Sequence, residues 1–183
     1  MDAFEQVVKS VLNHRGYWII QGFKVNLTKA EKVLVGRASS PRWEIDLLAY
    51  NALRNELVAL ECKSYLDSPG VRFDEVFNAK EKANRYKLFN EEVLRNTVLD
   101  RLRIDCLEVG LINKETKIRL GLVAGKVVSS DSDDQLRDHF DKMGWVYIPP
   151  SEIRTMLKSL GDHGYHDNIA MVVVKLLGPR HGA

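Results

Sequence analysis

Between residues 3 and 14, Phe4, Val7, Val8, Val11 and Leu12 recur at helical spacing, with Asp2 placed to cap the start and Gly16 to stop the helix. The period then shortens. Residues 17–25 (YWIIQGFKV) predict a strand, which 32–35 continues or pairs with. Two further apolar runs, WEIDLLAY and LVALECKSY, flank the polar segment NALRNE, the pattern of a β-hairpin over 43–65. Pro41 closes the loop before it, and LDSPG at 66–70 is a turn. Residues 73–89 predict a helix, and Asn90 the cap of a second one carrying Val93, Leu94, Val98, Leu99, Leu102 and Cys106. Residues 118–128 (IRLGLVAGKVV) are apolar throughout, as a central strand would be. Ser132 with Gln135 gives a capping-box signature for a helix ending near Gly144. A short strand over 145–148, a helix capped by Ser151 and running to Leu160, and a last helix over 167–177 complete the order. The alternation predicts an α/β chain around one mixed sheet flanked by helices, forming one domain over 1–183.

Charges interrupt the hairpin where only apolar residues are needed. Asp46 breaks the first arm; Glu61 and Lys63 break the second. Alternation puts Glu61 and Lys63 on one face and Val58, Leu60 and Cys62 on the other. Ionised groups on a half-buried strand cost several kcal/mol unless paired, hydrated or metal-bound. Two carboxylates converging from neighbouring strands offer oxygens to a hard cation such as Mg2+, and an adjacent ammonium suits a nucleophilic water or a phosphate. Acid, acid and lysine therefore suit metal-dependent phosphodiester hydrolysis better than glycoside hydrolysis, which needs two carboxylates without a fixed cation.

Composition changes little. The 183 residues are 45% hydrophobic and 28% charged, with a net charge of +2, typical of a globular protein and too mild to announce a nucleic-acid binder. Two lone cysteines, Cys62 and Cys106, point away from a disulfide scaffold. The amphipathic start does not read as a signal peptide, and no apolar run is long enough for a membrane span, so no membrane partner and a cytoplasmic location are expected.

Asp46 followed fifteen positions later by Glu61-Cys62-Lys63 resembles the PD-(D/E)xK signature of restriction-endonuclease-like and Holliday-junction-resolvase-like nucleases. Ile45 stands where the motif name has proline. The resemblance covers roughly 4–89, and it implies a restriction-endonuclease-like core with Asp46, Glu61 and Lys63 as catalytic residues. It further implies Mg2+, replaceable by Mn2+, on Asp46 and Glu61, and nucleic acid, DNA foremost, as partner. A homodimer is admitted, since such nucleases often cut two strands in pairs. By spacing alone Glu5 is a first-turn helix charge; by the resemblance it is a catalytic residue and a further metal ligand.

Lys80, Lys82, Arg85 and Lys87 on one helix face, with Arg42 before the hairpin, are candidate phosphate contacts or simply a solvated face. Glu44 reads as a solvated edge charge and Tyr65 as a strand cap, while His163 and His166 are more simply a loop pair than a zinc site. Two rivals to the nuclease stand. One is an inactive nuclease-fold module that binds nucleic acid; the other is an α/β protein in which Asp46, Glu61 and Lys63 form a structural ion-pair cluster.

Overall fold

The computed structural model describes residues 2–39, 42–77, 83–162 and 168–177. Five strands form one mixed sheet in the order β1 (Trp18–Val25), β2 (Trp43–Asn51), β3 (Glu56–Lys63), β4 (Lys117–Ala124) and β5 (Val146–Ile148). β1, β2 and β3 are joined antiparallel; β3, β4 and β5 run parallel. The chain is thus α/β, with helices on both sheet faces.

One face is covered by α1 (Ala3–His14), α7 (Pro150–Gly161) and α8 (Ile169–Leu177). Val8, Val11, Leu12, Ile153, Met156, Leu160, Ala170 and Met171 pack there on Leu47, Ala49, Val58 and Leu60. The other face is covered by α3 (Phe73–Phe77), α4 (Lys87–Asn90), α5 (Glu92–Glu108) and α6 (Ser130–Met143). Val76, Leu88, Phe89, Leu94, Val98, Leu102 and Phe140 pack there on Ile45, Leu48, Leu57 and Leu122. Each of the Val, Leu, Ile, Met and Phe side chains among them contributes about 1.5–3 kcal/mol of transfer free energy. β3 is buried on both faces from Glu56 to Leu60, then becomes half-buried at Glu61, Cys62 and Lys63. Its carboxyl end therefore emerges from the core, the place where open α/β sheets admit ligands.

Helix α1 and the hairpin follow the sequence pattern: Asp2 accepts a hydrogen bond from Phe4 N–H at 2.7 Å and the chain turns at Gly16 with φ +81°. Elsewhere local chemistry or packing overrides it. Residues 32–35 are no strand; α2 (Lys29–Leu34) holds them, because Thr28 and Glu31 cap each other reciprocally and Arg101 clamps Glu31 with bonds of 2.8–3.1 Å. The helix expected over 73–89 is broken. Residues 78–82 lie outside the described residues; after them comes a 3-10 turn at Ala83–Arg85, and Tyr86 leaves helical geometry (φ −133°, ψ 32°) before α4, so that Tyr86, Leu88 and Phe89 all enter the core. Asn90 closes α4 instead of capping α5, whose N-cap is Glu91. Ser129, not Ser132, caps α6, accepting from Ser132 N–H, and Gly144 ends it in the left-handed region. Pro149 precedes α7 and Pro150 takes its first position, which leaves Ser151 inside the helix. β4 stops at Ala124 rather than 128. Asn168 caps α8, accepting from Ala170 N–H at 2.8 Å.

Candidate active site

The site forms where β1 and β2 turn over. Leu47 and Ala49 pack on the α1 side, yet Ile45 and Trp43 pack on the α5 side. Residues two apart share a face in a regular strand, so β2 exchanges its faces at Asp46. The β1–β2 register runs through Gln21↔Leu47 and Phe23↔Ile45, leaving Gly22 opposite Asp46. Gly22 has φ +65°, a conformation costing other residues about 1–2 kcal/mol. β1 turns with it: Ile19 packs on the α1 side and Phe23 on the other. Freed from alternation, the Asp46 carboxylate lies along the β2–β3 seam. The paired ladder ends at Leu47↔Leu60, and beyond it Asp46 Oδ2 accepts from Cys62 N–H at 2.7 Å.

Cys62 is the residue between Glu61 and Lys63, so this bond anchors Asp46 at the centre of the motif. Lys63 Nζ lies 3.3 Å from Glu61 Oε2, with the two side chains 20% and 15% exposed. Glu5, from the first turn of α1, accepts from Gln21 Nε2 at 2.9 Å and adds its negative charge to Asp46, Glu61 and Cys62. Glu61 and Asp46 thus act on one ammonium while Glu5 adds a third negative charge beside the two carboxylates, and the balance of charge is negative.

That imbalance shows in the proton affinities. Burial above all, then repulsion from Asp46 and Glu5, raises Glu61 to about 7 in spite of Lys63. Burial likewise raises Asp46, against the Cys62 N–H bond and Lys63, which favour its ionised form. Burial works against the charge on Lys63, but Glu61 and Asp46 outweigh it and hold the ammonium above its usual range. Without metal, Lys63 is therefore held as a cation. Burial and the same carboxylates push the Cys62 thiol far up, which removes it as a nucleophile.

Glu61 and Lys63 line a cleft of about 610 Å3, together with Asp2, Trp43, Glu44, Tyr65, Tyr86 and Phe89. Arg85 and Lys87, two of the candidate phosphate contacts, line the same cleft, and exposed Arg42 directly precedes its wall residue Trp43. Asp46 and Glu5 are not among the lining residues. Lys80, Lys82, His163 and His166 lie outside the described residues. Gln21 and Tyr86 were not singled out by sequence; the signal for Gln21 was a polar residue inside an apolar strand, as for Asp46.

Two carboxylates with raised proton affinity and excess negative charge fit a hard divalent cation, which commonly takes one or two protein carboxylates plus water and substrate oxygens. The fit is to Asp46 and Glu61 rather than to a closed cage. Among the described residues no group of three or more His, Cys, Asp or Glu side chains is arranged to hold a metal. No protein-family model, curated protein or solved structure matches the chain. Among the described residues no helix is long and apolar enough to cross a membrane.

The titration of Glu61 gives a signed expectation. Folded protein holds this proton up to about pH 7, against an ordinary value of 4.5. Metal-free stability therefore falls as pH rises between those values and levels off above. A cation bound at the ionised carboxylates reverses that loss, while protons compete with it below pH 7. Saturating Mg2+ is expected to raise the melting temperature more at pH 8 than at pH 6, measured by scanning calorimetry; equal shifts at both would show that Glu61 does not take part.

Proposed function

We propose that the protein is a metal-dependent nuclease with a restriction-endonuclease-like, PD-(D/E)xK core, hydrolysing phosphodiester bonds in nucleic acid, DNA foremost. The observation that carries this is the convergence of Lys63 on Glu61 at 3.3 Å with Asp46 tied to the amide of the residue between them. The surrounding cleft, with Arg85 and Lys87 in its wall, supplies cations where a polyanion would lie.

In this assignment Asp46 and Glu61 hold Mg2+, or Mn2+ in its place. The cation supplies Lewis-acid activation and neutralises phosphate charge. Lys63 holds the attacking water or a phosphate oxygen; its raised proton affinity keeps it charged for that task. Glu5, steadied by Gln21, keeps the negative field that draws the cation in. A second possibility draws on the same contact: an ion-paired Lys63 and Glu61, without a closed set of three ligands, is also what a structural cluster would present.

Incubating purified protein with DNA and RNA, single-stranded, duplex and branched, in EDTA, Mg2+ or Mn2+ separates these. Products are expected only with a divalent cation. Salt-sensitive retention of nucleic acid without products would instead identify an inactive binding module, and neither retention nor products would identify the structural cluster.

A further inference from the structure

Glu56 and Lys63 are the two ends of β3, roughly 23 Å apart, and a second recess opens at the Glu56 end. Asn51 faces Glu56 across the hairpin, and the pair continues the α1-side row of Ala49 and Val58. Arg119, beside Val58 on β4, reaches Glu56 from the same face. Asn51 and Glu56 are each 8% exposed, a depth at which polar side chains are almost always satisfied. These two are satisfied only in part. Asn51 Oδ1 accepts from Arg54 N–H at 3.1 Å, but among the described residues nothing bonds its amide nitrogen. Glu56 Oε1 receives one long contact, 3.4 Å from Arg119 Nη1, and Oε2 receives none from the described residues. Arg119 directs its shorter bonds to the carbonyls of Gly144 and Trp145. The unpartnered Trp43 and Tyr86 atoms are sealed from solvent; the Asn51 and Glu56 atoms are not, and both side chains line a cavity of about 270 Å3. Tyr17, Leu12 and Met156 line it as well, and exposed Arg15 and Arg54 stand at its edge against one exposed acid, Glu152. Neither arginine side chain has an ion-pair partner among the described residues.

We propose that this recess binds a guanine nucleotide, base inward and phosphate at the mouth. A carboxylate beside an amide donor is the complement of guanine's pairing edge. The base donates N1–H and N2–H to Glu56 as a bidentate pair, and its O6 accepts from the Asn51 amide. Half-buried Tyr17 gives the ring an aromatic surface. The cavity is below the usual size for a whole ligand, so it takes the base and leaves the phosphate outside, against the guanidinium groups of Arg15 and Arg54. Adenine offers one donor and one acceptor where guanine offers two donors, and it leaves a carboxylate oxygen unmet. The site is separate from the cleft at Lys63 and does not rest on the nuclease assignment.

Isothermal titration of the full chain with guanosine 5′-monophosphate (GMP) in EDTA tests this. GMP is expected to bind about tenfold tighter than AMP, and about tenfold tighter than guanosine, which lacks the phosphate. Asn51→Asp keeps the oxygen that accepts from Arg54 N–H and loses the amide donor. Glu56→Gln keeps the shape and puts a donor where an acceptor stood. Each should weaken GMP about tenfold, with circular dichroism showing both variants folded. Arg15→Gln alters only an exposed side chain. It should weaken GMP about threefold and leave guanosine unchanged, a split that a packing defect would not produce. Equal affinity for GMP and AMP, or wild-type affinity in the folded Asn51 and Glu56 variants, would overturn the site. So would loss of GMP binding in Lys63→Ala, which would move the nucleotide to the catalytic cleft. A short oligonucleotide ending in guanosine distinguishes the source: competition as strong as that of GMP upholds the site as a holder of strand ends, and weaker competition upholds it as a holder of the free nucleotide.

Discussion

Lys63→Ala is expected to lower metal-dependent cleavage by about a thousandfold, the scale seen when a fixed charge-stabilising donor is removed from a phosphate or oxyanion site. The same change strips the counterion from Glu61 and adds to the burden on Asp46. Breaking a fully buried pair costs about 3–5 kcal/mol; with both side chains partly exposed, about 2–3 kcal/mol is expected at pH 8 without metal. For a chain of this size that lowers the melting temperature by about 5–10 °C. The sign with pH is fixed by the carboxylates. Glu61 has its proton affinity raised to about 7, so at pH 5.5 it takes up a proton and the part of the loss caused by its unpaired charge disappears. Lys63→Arg separates catalysis from support: it should restore most of the stability and little of the cleavage, because a guanidinium keeps the charge and loses the compact ammonium. Restored cleavage in the arginine variant would mean that charge alone suffices.

Asp46→Asn should have the opposite profile. The amide keeps an oxygen that can accept from Cys62 N–H, so the seam between β2 and β3 survives. It also removes a buried charge whose ionisation the folded state resists, so metal-free stability at pH 8 should stay level or rise. Cleavage should fall at least a thousandfold. Affinity for Mn2+ should fall by more than the factor of about 10–100 that loss of an outer-shell partner costs, since a ligand itself is gone. Loss of activity through unfolding would leave the melting temperature low, which distinguishes it.

The sequence was most legible where one local signal decides one feature. Asp2 and Gly16 bound α1, and two apolar arms around a polar turn mark β2 and β3, so the motif could be placed on its strands. It was least legible where distant residues compete. The polar interior of the β1 strand shows Gln21 and Gly22, but nothing local says that Gly22 stands across from Asp46 and lets both strands change faces. The side-by-side placement of Glu61 and Lys63 followed from alternation. Asp46 does not follow alternation at all, and its bond to Cys62 spans the hairpin. Thr28 and Glu31 carried a capping box that the β-branched and apolar residues 33–35 obscured. The helix expected over 73–89 failed for a tertiary reason: Tyr86, Leu88 and Phe89 gain more by entering the core than a continued helix face would give them, and in doing so they build the cleft wall.

The claim on which the rest depends is that Asp46 and Glu61 share one divalent cation at the end of β3. Free Mn2+ measured by electron paramagnetic resonance during titration of the protein at pH 8 tests it most directly, with Asp46→Asn and wild type compared under the same conditions. One tightly held ion per wild-type chain is expected, and its loss in the variant, with both proteins folded. Equal Mn2+ uptake by the two, or none by the wild type, would contradict it.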